Sequence, residues 1–372
     1  MSTNAWLILG LASGIHGRQV DSLLATFGSV DAIVDADVAQ LLHGGMRQRA
    51  AGQIDIPDEQ ALARCHDWLE TGAGELLTWS DSRYPPLLRN IYDPPVLLYV
   101  RGDVDVLSLP QLAIVGSRNA TPGGCDTARR FAAHLGGAGF SIASGLAVGI
   151  DAAAHRGALD AGAHTVAVCA TGPDEVYPSR HRRLAEEIVA HGAIVTEFPP
   201  GTSPRREQFP QRNRLISGMS AGTLVVEAGL RSGALITARC ASEQGREVFA
   251  VPGSIHNPTA RGCHRLIRTG AKLVESSHDI MEELPGILAG MSELVEQNDA
   301  GGVAETPYAP DPEYQQLLAL MGWDPVTVDT LVNRSGLTTE QVSSMLLILE
   351  LEGRVQPLVG GRYTQREEGP RK

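Results

Sequence analysis

The chain has 372 residues, which at about 100 to 200 residues per domain corresponds to two or three domains, and its formal net charge of -12 argues against nucleic acid as a partner of the chain as a whole. It contains no run of about 18 apolar residues and no basic, cleavable signal segment at its start, so we expect a cytoplasmic protein without a membrane partner. The five cysteines are scattered and form no CxxC pair, which gives no support for a disulfide framework or a zinc site.

Residues 1–75 show helical periodicity interrupted by turns, as in LASGIHGRQVDSLLATFGSVDAIVDADVAQLL. The pattern predicts a small domain of short helices. Its GIHG turn, residues 14–17, resembles a helix-hairpin-helix or SAM-like element, whose backbone N–H groups can contact DNA phosphates. The segment carries 4 lysines and arginines against 10 acidic residues, so we favour a role in packing or protein contact.

Residues 76–287 alternate between short apolar runs and helical patterns. After a proline-rich passage that ends in the strand-like sequence VLLYV, strands are predicted at 112–115, 140–143, 165–169, 193–197, 223–227, 247–251 and 272–274. Helical patterns lie between most of them, and several close on a glycine suited to a helix C-cap. Repeated strand, helix, strand units predict an α/β domain whose doubly wound parallel sheet is covered by helices on both faces.

Residues 288–312 are polar, acidic and rich in glycine and proline, which is typical of a linker. Residues 313–367 then predict three helices and a hairpin, the order of a winged-helix-like domain. The expected recognition helix, 338–352, carries three glutamates and no basic residue, so the usual role in the DNA major groove is doubtful for it.

The loops that follow the predicted strands share one composition. GSRNATPGG, SGLAVGID, TGPDEVYPSRH, EFPPGTSPRREQFPQRNRLISGMS, EAGLRSGALITA and PGS are rich in glycine, serine, threonine and arginine. In a parallel sheet these loops meet at the carboxyl edge, where helix N-termini and small residues admit a phosphate. Any one glycine could simply make a tight turn, but six such loops together predict an anion site.

The charge is distributed in agreement with that prediction. Residues 111–275 carry 18 lysines and arginines against 13 acidic residues, so a basic segment lies between acidic ends. Arg118 and the cluster of Arg205, Arg206, Arg212 and Arg214 are candidate phosphate ligands, although a solvated charged surface is the alternative.

Two aromatic residues, Phe209 and Tyr177, occur among these loops. Either could stack on a base or could belong to the core.

Enzyme signatures are weak. GMSAG, residues 218–222, satisfies GxSxG but lies where a helix passes into a strand, the reverse of a nucleophile elbow. No P-loop and no complete GxGxxG occurs. Asp151 and Glu227 stand near strand ends and could serve acid–base chemistry, cap helices or hold arginines, whereas His155 lies among alanines and is better explained by packing.

Five motifs, VGSRNAT, SGLAVGIDAAAH, FPQRNRLISGMS, VVEAGLRSGALITA and VFAVPGS, resemble in order and spacing the DprA/Smf family of bacterial DNA processing proteins. The resemblance covers residues 80–285, and the flanking regions match the family by layout. It implies an extended Rossmann-like core that binds single-stranded DNA without sequence preference, forms a homodimer and assists loading of the recombinase RecA in natural transformation. It implies no catalytic residue, no metal and no cofactor.

The resemblance assigns DNA contacts to four of these loops. The residues are Gly116, Ser117, Arg118, Ser144, Gly145, Arg212, Asn213, Arg214, Ser232 and Gly233, to which the residues themselves add Phe209. The alternative is a nucleotide-binding Rossmann-like enzyme or sensor related to the phosphoribohydrolases, but their PGGxGTxxE loop is replaced here by EAGLRSGALITA. A scaffold that acts through its acidic ends alone is a third possibility.

Overall fold

The computed structural model describes residues 2–284, 312–322, 324–351 and 354–366. These residues form two compact units, one made of residues 2–284 and the other of the described residues from 312 onward. The predicted linker falls on residues outside the described ranges, except for Pro312. Within the described residues, no helix combines the length and apolar character needed to cross a bilayer.

A nine-stranded sheet forms the centre of the first unit. The strands are β1 Glu75–Thr78, β2 Leu97–Gly102, β3 Gln111–Val115, β4 Ser141–Ser144, β5 Thr165–Val168, β6 Ala193–Thr196, β7 Gly222–Val225, β8 Glu247–Ala250 and β9 Lys272–Leu273. Their order is β1-β2-β6-β5-β4-β3-β7-β8-β9, and β3 to β9 are parallel. The seven predicted strands and the doubly wound α/β class are therefore confirmed.

The sheet departs from the prediction at one edge. Strand β2 pairs antiparallel with β6, and β1 pairs antiparallel with β2, so the sheet is mixed and not purely parallel. The sequence pattern does not show this because strand direction depends on the connection between strands, and β2 is reached through a passage with only one turn of helix in it.

Helices on both faces of the sheet connect its parallel strands, and one further helix follows the last strand. They are α8 Pro122–Gly137, α9 Ile150–Asp160, α10 Arg182–His191, α11 Gln208–Met219, α12 Ala234–Glu243, α13 Arg261–Arg268 and α14 Ser277–Glu282. From β3 the chain winds outward through β4, β5 and β6, and α11 then returns it to β7 on the other side of β3. The winding direction reverses between β3 and β7, and this reversal opens a crevice at the carboxyl ends of the strands.

Seven short helices precede the parallel part of the sheet. They are α1 Thr3–Leu11, α2 Gly17–Phe27, α3 Val30–Val34, α4 Val38–His43, α5 Gln48–Asp55, α6 Glu59–Glu70 and α7 Pro86–Arg89. The side chains of Ser29, Asp37 and Asp58 cap α3, α4 and α6. The first six helices share one apolar core with the antiparallel edge of the sheet, and Trp79 donates its indole N–H to Asp21 at 2.7 Å.

The second unit is a winged helix, as the sequence predicts. Its elements are α15 Pro312–Met321, β10 Val326–Thr327, α16 Val328–Ser335, α17 Thr339–Leu351, β11 Val355–Leu358 and β12 Arg362–Gln365, with strand order β10-β12-β11. Its own core includes Leu331, Leu346 and Leu349. The recognition helix α17 exposes Leu347 and Ile348.

Candidate nucleic-acid interface

A cleft of about 1040 Å³ lies at the point where the winding of the sheet reverses. The loop after β3, the start of α9, helix α11 and the loop after β7 form most of its wall. Its polar and aromatic lining residues are Ser117, Arg118, Asn119, Asp151, Tyr177, Arg206, Phe209, Arg212, Asn213, Arg231, Ser232, Thr237, Thr259 and Arg261.

The loop after β3 is fixed by close backbone approach. A Cβ atom on Gly116 would lie 2.5 Å from Ile150 Cγ1, so only glycine fits between β3 and α9. Gly149 adopts φ +82°, and a Cβ there would overlap the carbonyl oxygen of Ser117. Ser117 O also accepts a hydrogen bond from Ile150 N at 3.2 Å, so Ser117 and Arg118 are held by backbone contacts.

The same loop is anchored from the β7 side by Glu227. Its buried carboxylate accepts hydrogen bonds from Thr121 Oγ1 at 2.7 Å and Thr121 N at 2.9 Å. Thr121 in turn caps α8 by accepting from Gly124 N. Of the roles open to Glu227 from sequence, the structure therefore shows it supporting a helix cap.

Arg118 and two aromatic rings form a row along the cleft. The Arg118 guanidinium carbon lies 5.0 Å from the centroid of the Phe209 ring, a cation–π contact. The Tyr177 ring packs edge-on against Phe209 at 5.8 Å between centroids and is 45% exposed. The row presents a positive charge and an exposed aromatic surface to the cleft.

Arg212 is buried in the floor of the cleft, with 3% of its surface exposed. Its guanidinium donates to Gly145 O at 2.8 Å, to Val168 O and to Asn213 Oδ1 at 3.2 Å. Burial lowers the pKa of this guanidinium, although the nearby carboxylate of Asp151 raises it. Arg212 thus joins the ends of β4 and β5 to α11 and adds positive charge beneath the cleft.

Arg118, Arg206, Arg231 and Arg261 are exposed around the cleft. Within the described part of the chain, none of the four has a carboxylate within ion-pairing distance. Arg231 and Arg261 are not among the contact residues that the sequence predicts. Their positions in the sequence do indicate this location, because Arg231 lies in the EAGLRSGALITA loop and Arg261 begins a helix after the PGS loop.

Most of the predicted contact residues meet at this cleft. Its lining includes Gly116, Ser117, Arg118, Phe209, Arg212, Asn213, Ser232 and Gly233. Asn213 is buried and donates weakly to Gly233 O at 3.4 Å, which places α11 against the loop that precedes α12.

Three predicted residues do not line the cleft. Ser144 is fully buried and donates to Ile114 O at 2.6 Å. Gly145 offers its carbonyl to Arg212, and a Cβ there would lie 2.7 Å from Arg212 Nη2. Arg214 points elsewhere and forms ion pairs with Glu197 and, at 3.1 Å, with Asp93. The geometry gives all three residues structural contacts; Arg214 lies on α11 beside the cleft-lining Asn213, but neighbours on a helix project in different directions.

The weak enzyme signatures have structural explanations. Ser220 of the GMSAG sequence is fully buried and donates to Ile216 O at 2.8 Å, in the passage from α11 to β7. His155 is buried beside Thr165. No group of three or more potential metal ligands occurs among residues with described positions.

Comparison with known proteins gives matches over both units. The family model described as DNA recombination-mediator protein A matches residues 75–285, and the model described as DprA winged helix domain matches residues 304–361. The chain is 38% identical to protein Smf of Escherichia coli strain K12 over 370 residues, which cover 97% of this chain and 95% of that relative.

Two solved structures are also similar. DNA processing protein A from Streptococcus pneumoniae has 37% identity and a TM-score of 0.66, over 76% of this chain and 98% of that chain. DNA processing protein A from Helicobacter pylori, whose structure is described for its single-stranded DNA binding mode, has 28% identity and a TM-score of 0.52, over 57% of this chain and 96% of that chain.

Proposed function

The chain belongs to the DNA recombination-mediator protein A family, also called DprA/Smf, and from that premise we propose that its cleft binds single-stranded DNA through the phosphates, without sequence preference. The observation that carries the proposal is the set of four exposed arginines around the cleft that have no carboxylate partner among the described residues. The planar guanidinium of arginine can donate two hydrogen bonds to the oxygens of one phosphate. Contacts to the phosphates of the DNA backbone do not depend on the base sequence. The single-stranded DNA binding described for the Helicobacter pylori relative supports it.

The proposed contact set combines the cleft arginines with small residues. It comprises Gly116, Ser117, Arg118, Arg206, Phe209, Asn213, Arg231, Ser232, Gly233 and Arg261, with Arg212 beneath them. The N-terminus of α12 opens beside Ser232 and Gly233, where its dipole favours an anion. Ser144, Gly145 and Arg214 act in this proposal by supporting the cleft.

We further propose the biological role that the family resemblance implies. The bound strand is protected, the protein acts as a homodimer, and it assists loading of RecA in natural transformation and recombination. The role we propose is one of binding and not of catalysis, because the family resemblance carries no catalytic residue over to this chain and Glu227, one of the two candidate carboxylates, is engaged in a helix cap.

The substitution Arg118→Ala directly tests whether the cleft binds DNA through its phosphates. We expect affinity for an oligo-dT strand to fall roughly tenfold at about 0.1 M salt, because one charge-assisted contact is lost. The slope of log K against log salt should become shallower by about 0.7, the value for one phosphate contact on a single strand. Fluorescence anisotropy titrations over a range of salt concentrations measure both quantities.

Arg183→Ala is the matched control, because Arg183 is exposed on α10 and does not line the cleft. It should leave affinity and slope unchanged. If Arg118→Ala is folded and shows the same affinity and the same salt dependence as the wild-type protein, the proposed contact between Arg118 and phosphate is refuted.

The nucleotide-binding alternative has one observation in its favour: a crevice where the winding of a parallel sheet reverses is the usual nucleotide site of such folds. Competition by AMP against a labelled oligo-dT probe separates the two functions. Displacement at micromolar AMP would favour a nucleotide enzyme or sensor, whereas retention of the probe favours the DNA-binding proposal.

A further inference from the structure

Asp151 is an unusual residue for the floor of a phosphate-binding cleft. It is the one carboxylate in the described lining, it lies in the first turn of α9, and 7% of its surface is exposed. A carboxylate repels phosphate, so it must either serve the fold or meet a ligand group that is not phosphate.

The contacts of Asp151 within the fold leave much of its acceptor capacity free. The backbone N–H of Ala147 lies 3.4 Å from Oδ2, a long hydrogen bond, and the N–H of Gly145 also faces the carboxylate. Neither Arg118 nor Arg212 lies within ion-pairing distance of it, because Arg212 donates to two backbone carbonyls and to Asn213. A carboxylate can accept about four hydrogen bonds, and a buried acceptor left unfilled is costly.

The remaining acceptor capacity of Asp151 suits a ligand group that donates a hydrogen bond. An internal deoxynucleotide has no sugar hydroxyl, its phosphate offers only acceptors, and its hydrogen-bond donors are all on the base. On the Watson–Crick edge these donors are N1–H and the N2 amino group of guanine, N3–H of thymine, and the amino groups of cytosine and adenine. We propose that Asp151 accepts a hydrogen bond from the Watson–Crick edge of a base that enters the cleft; the inference rests on the proposed function.

This contact would select the strandedness of the DNA without selecting its sequence. Every base has at least one donor on that edge, so the contact tolerates any sequence. In a duplex the same donors are engaged by the complementary strand, so only an unpaired base can reach Asp151. Tyr177, with its half-exposed ring in the same cleft, offers a face against which the base can stack.

The test is a cycle of two proteins and two probes. Full-length wild-type protein and Asp151→Asn are titrated with a 12-nucleotide dT strand and with the same strand methylated at N3 of every thymine, which removes the donor. The substitution also removes a negative charge from a cleft of arginines, so affinity for dT alone can rise or fall. The informative quantity is the affinity ratio of the two probes.

We expect wild-type protein to prefer the unmethylated strand by about tenfold more than Asp151→Asn does, since methylation removes a charge-assisted hydrogen bond from the wild type but only a weaker neutral one, accepted by the amide oxygen, from the variant. Asp126→Asn on α8, outside the cleft, should keep the wild-type ratio. Equal ratios for wild type and a folded Asp151→Asn would overturn the inference, because a steric effect of the methyl group acts on both.

The wild-type protein also provides a test that needs no variant. Equal affinity of the wild-type protein for the two strands would overturn the role of Asp151 and would leave the proposed binding of DNA phosphates untouched. Absence of binding to either strand would instead overturn the proposed function itself.

Discussion

At the scale of single residues, two arginines from the quoted motifs have different environments. Arg118 is exposed and rests on the Phe209 ring, so its donors face the cleft. Arg212 is buried and donates to Gly145 O and Val168 O, and its removal would break both of these buried hydrogen bonds. Loss of Arg212 would therefore lower both the stability of the protein and its affinity for DNA. Loss of Arg118 should lower the affinity for DNA and leave stability unchanged.

His155 shows how a buried group can make stability depend on pH. Thr165 Oγ1 donates its proton to Ile142 O at 2.7 Å, so it accepts from His155 Nδ1–H, also at 2.7 Å. Nε2 is then the unprotonated nitrogen, and it is buried without a partner among the described residues. Burial, together with the charges of His181 and Arg212, lowers the pKa of His155 to about 3 from its ordinary value of 6.5.

The pKa of His155 predicts a loss of stability in acid. Between about pH 6.5 and pH 3 the unfolded chain binds a proton at this residue that the folded chain does not, so its contribution to the free energy of unfolding is full above pH 6.5 and is lost as pH falls to about 3. His155→Asn keeps a donor for Thr165 but cannot titrate. Urea unfolding at several pH values should show a flatter dependence for this variant over that window.

The exposed His43 provides a control for the acid prediction. His43→Asn should keep the pH dependence of the wild-type protein. A slope for His155→Asn as steep as that of wild type would contradict the assignment of the acid sensitivity to His155.

At the scale of elements, the cleft depends on close approach between the loop after β3 and the start of α9. Gly116 and Gly149 allow these backbones to meet, and Thr121 with Glu227 fixes the start of α8 beside them. The missing part of the dinucleotide fingerprint thus has a structural meaning, because the loop is held by backbone contacts and offers Ser117 and Arg118 where a GxGxxG turn would offer glycine.

Gly149→Ala should therefore affect both stability and DNA binding. The substitution imposes a positive φ on alanine and a clash with Ser117 O, and we expect a loss of about 2 kcal/mol or more in the free energy of unfolding. Because Ser117 and Arg118 must shift, affinity for oligo-dT should fall as well. Chemical unfolding and anisotropy titration measure the two effects.

Gly162 is a matched control, with φ +67° and no atom within 4 Å of an added Cβ. Gly162→Ala should cost only the strain of the positive φ, about 1 kcal/mol, with unchanged DNA affinity. Equal effects of the two substitutions would argue against a role for the close approach at Gly149.

At the scale of the whole molecule, the first six helices pack into one of the apolar cores of the sheet, the core that contains its antiparallel strands. Gly10 meets Leu97 so closely that a Cβ would overlap its side chain, and Gly17 approaches Trp79 in the same way. The sequence pattern predicts a separate small domain for residues 1–75, whereas the described residues of this segment belong to the same compact unit as the sheet. The winged helix, by contrast, has a core of its own.

Two truncations should consequently behave differently. A chain of residues 1–295 should unfold cooperatively and bind oligo-dT as tightly as the full chain, because it keeps the complete first unit and the cleft. A chain of residues 80–295 should lose its cooperative transition, because it exposes apolar surface that α1 to α6 cover. Calorimetry measures the unfolding transition of each truncated chain, and anisotropy titration measures its affinity for oligo-dT. Loss of DNA binding by the chain of residues 1–295 would favour a function located in the acidic ends.

The sequence by itself determined the alternation of strands and helices, the winged helix and the set of loops at one sheet edge, because hydrophobic periodicity and turn residues are local properties. Only the tertiary structure decided which motif residues face the cleft. Arg212 and Arg214 are two positions apart on α11, yet the first lies beneath the cleft and the second pairs with Glu197 outside it. Direction around a helix and the partners it meets depend on packing between distant segments, and no local pattern records them.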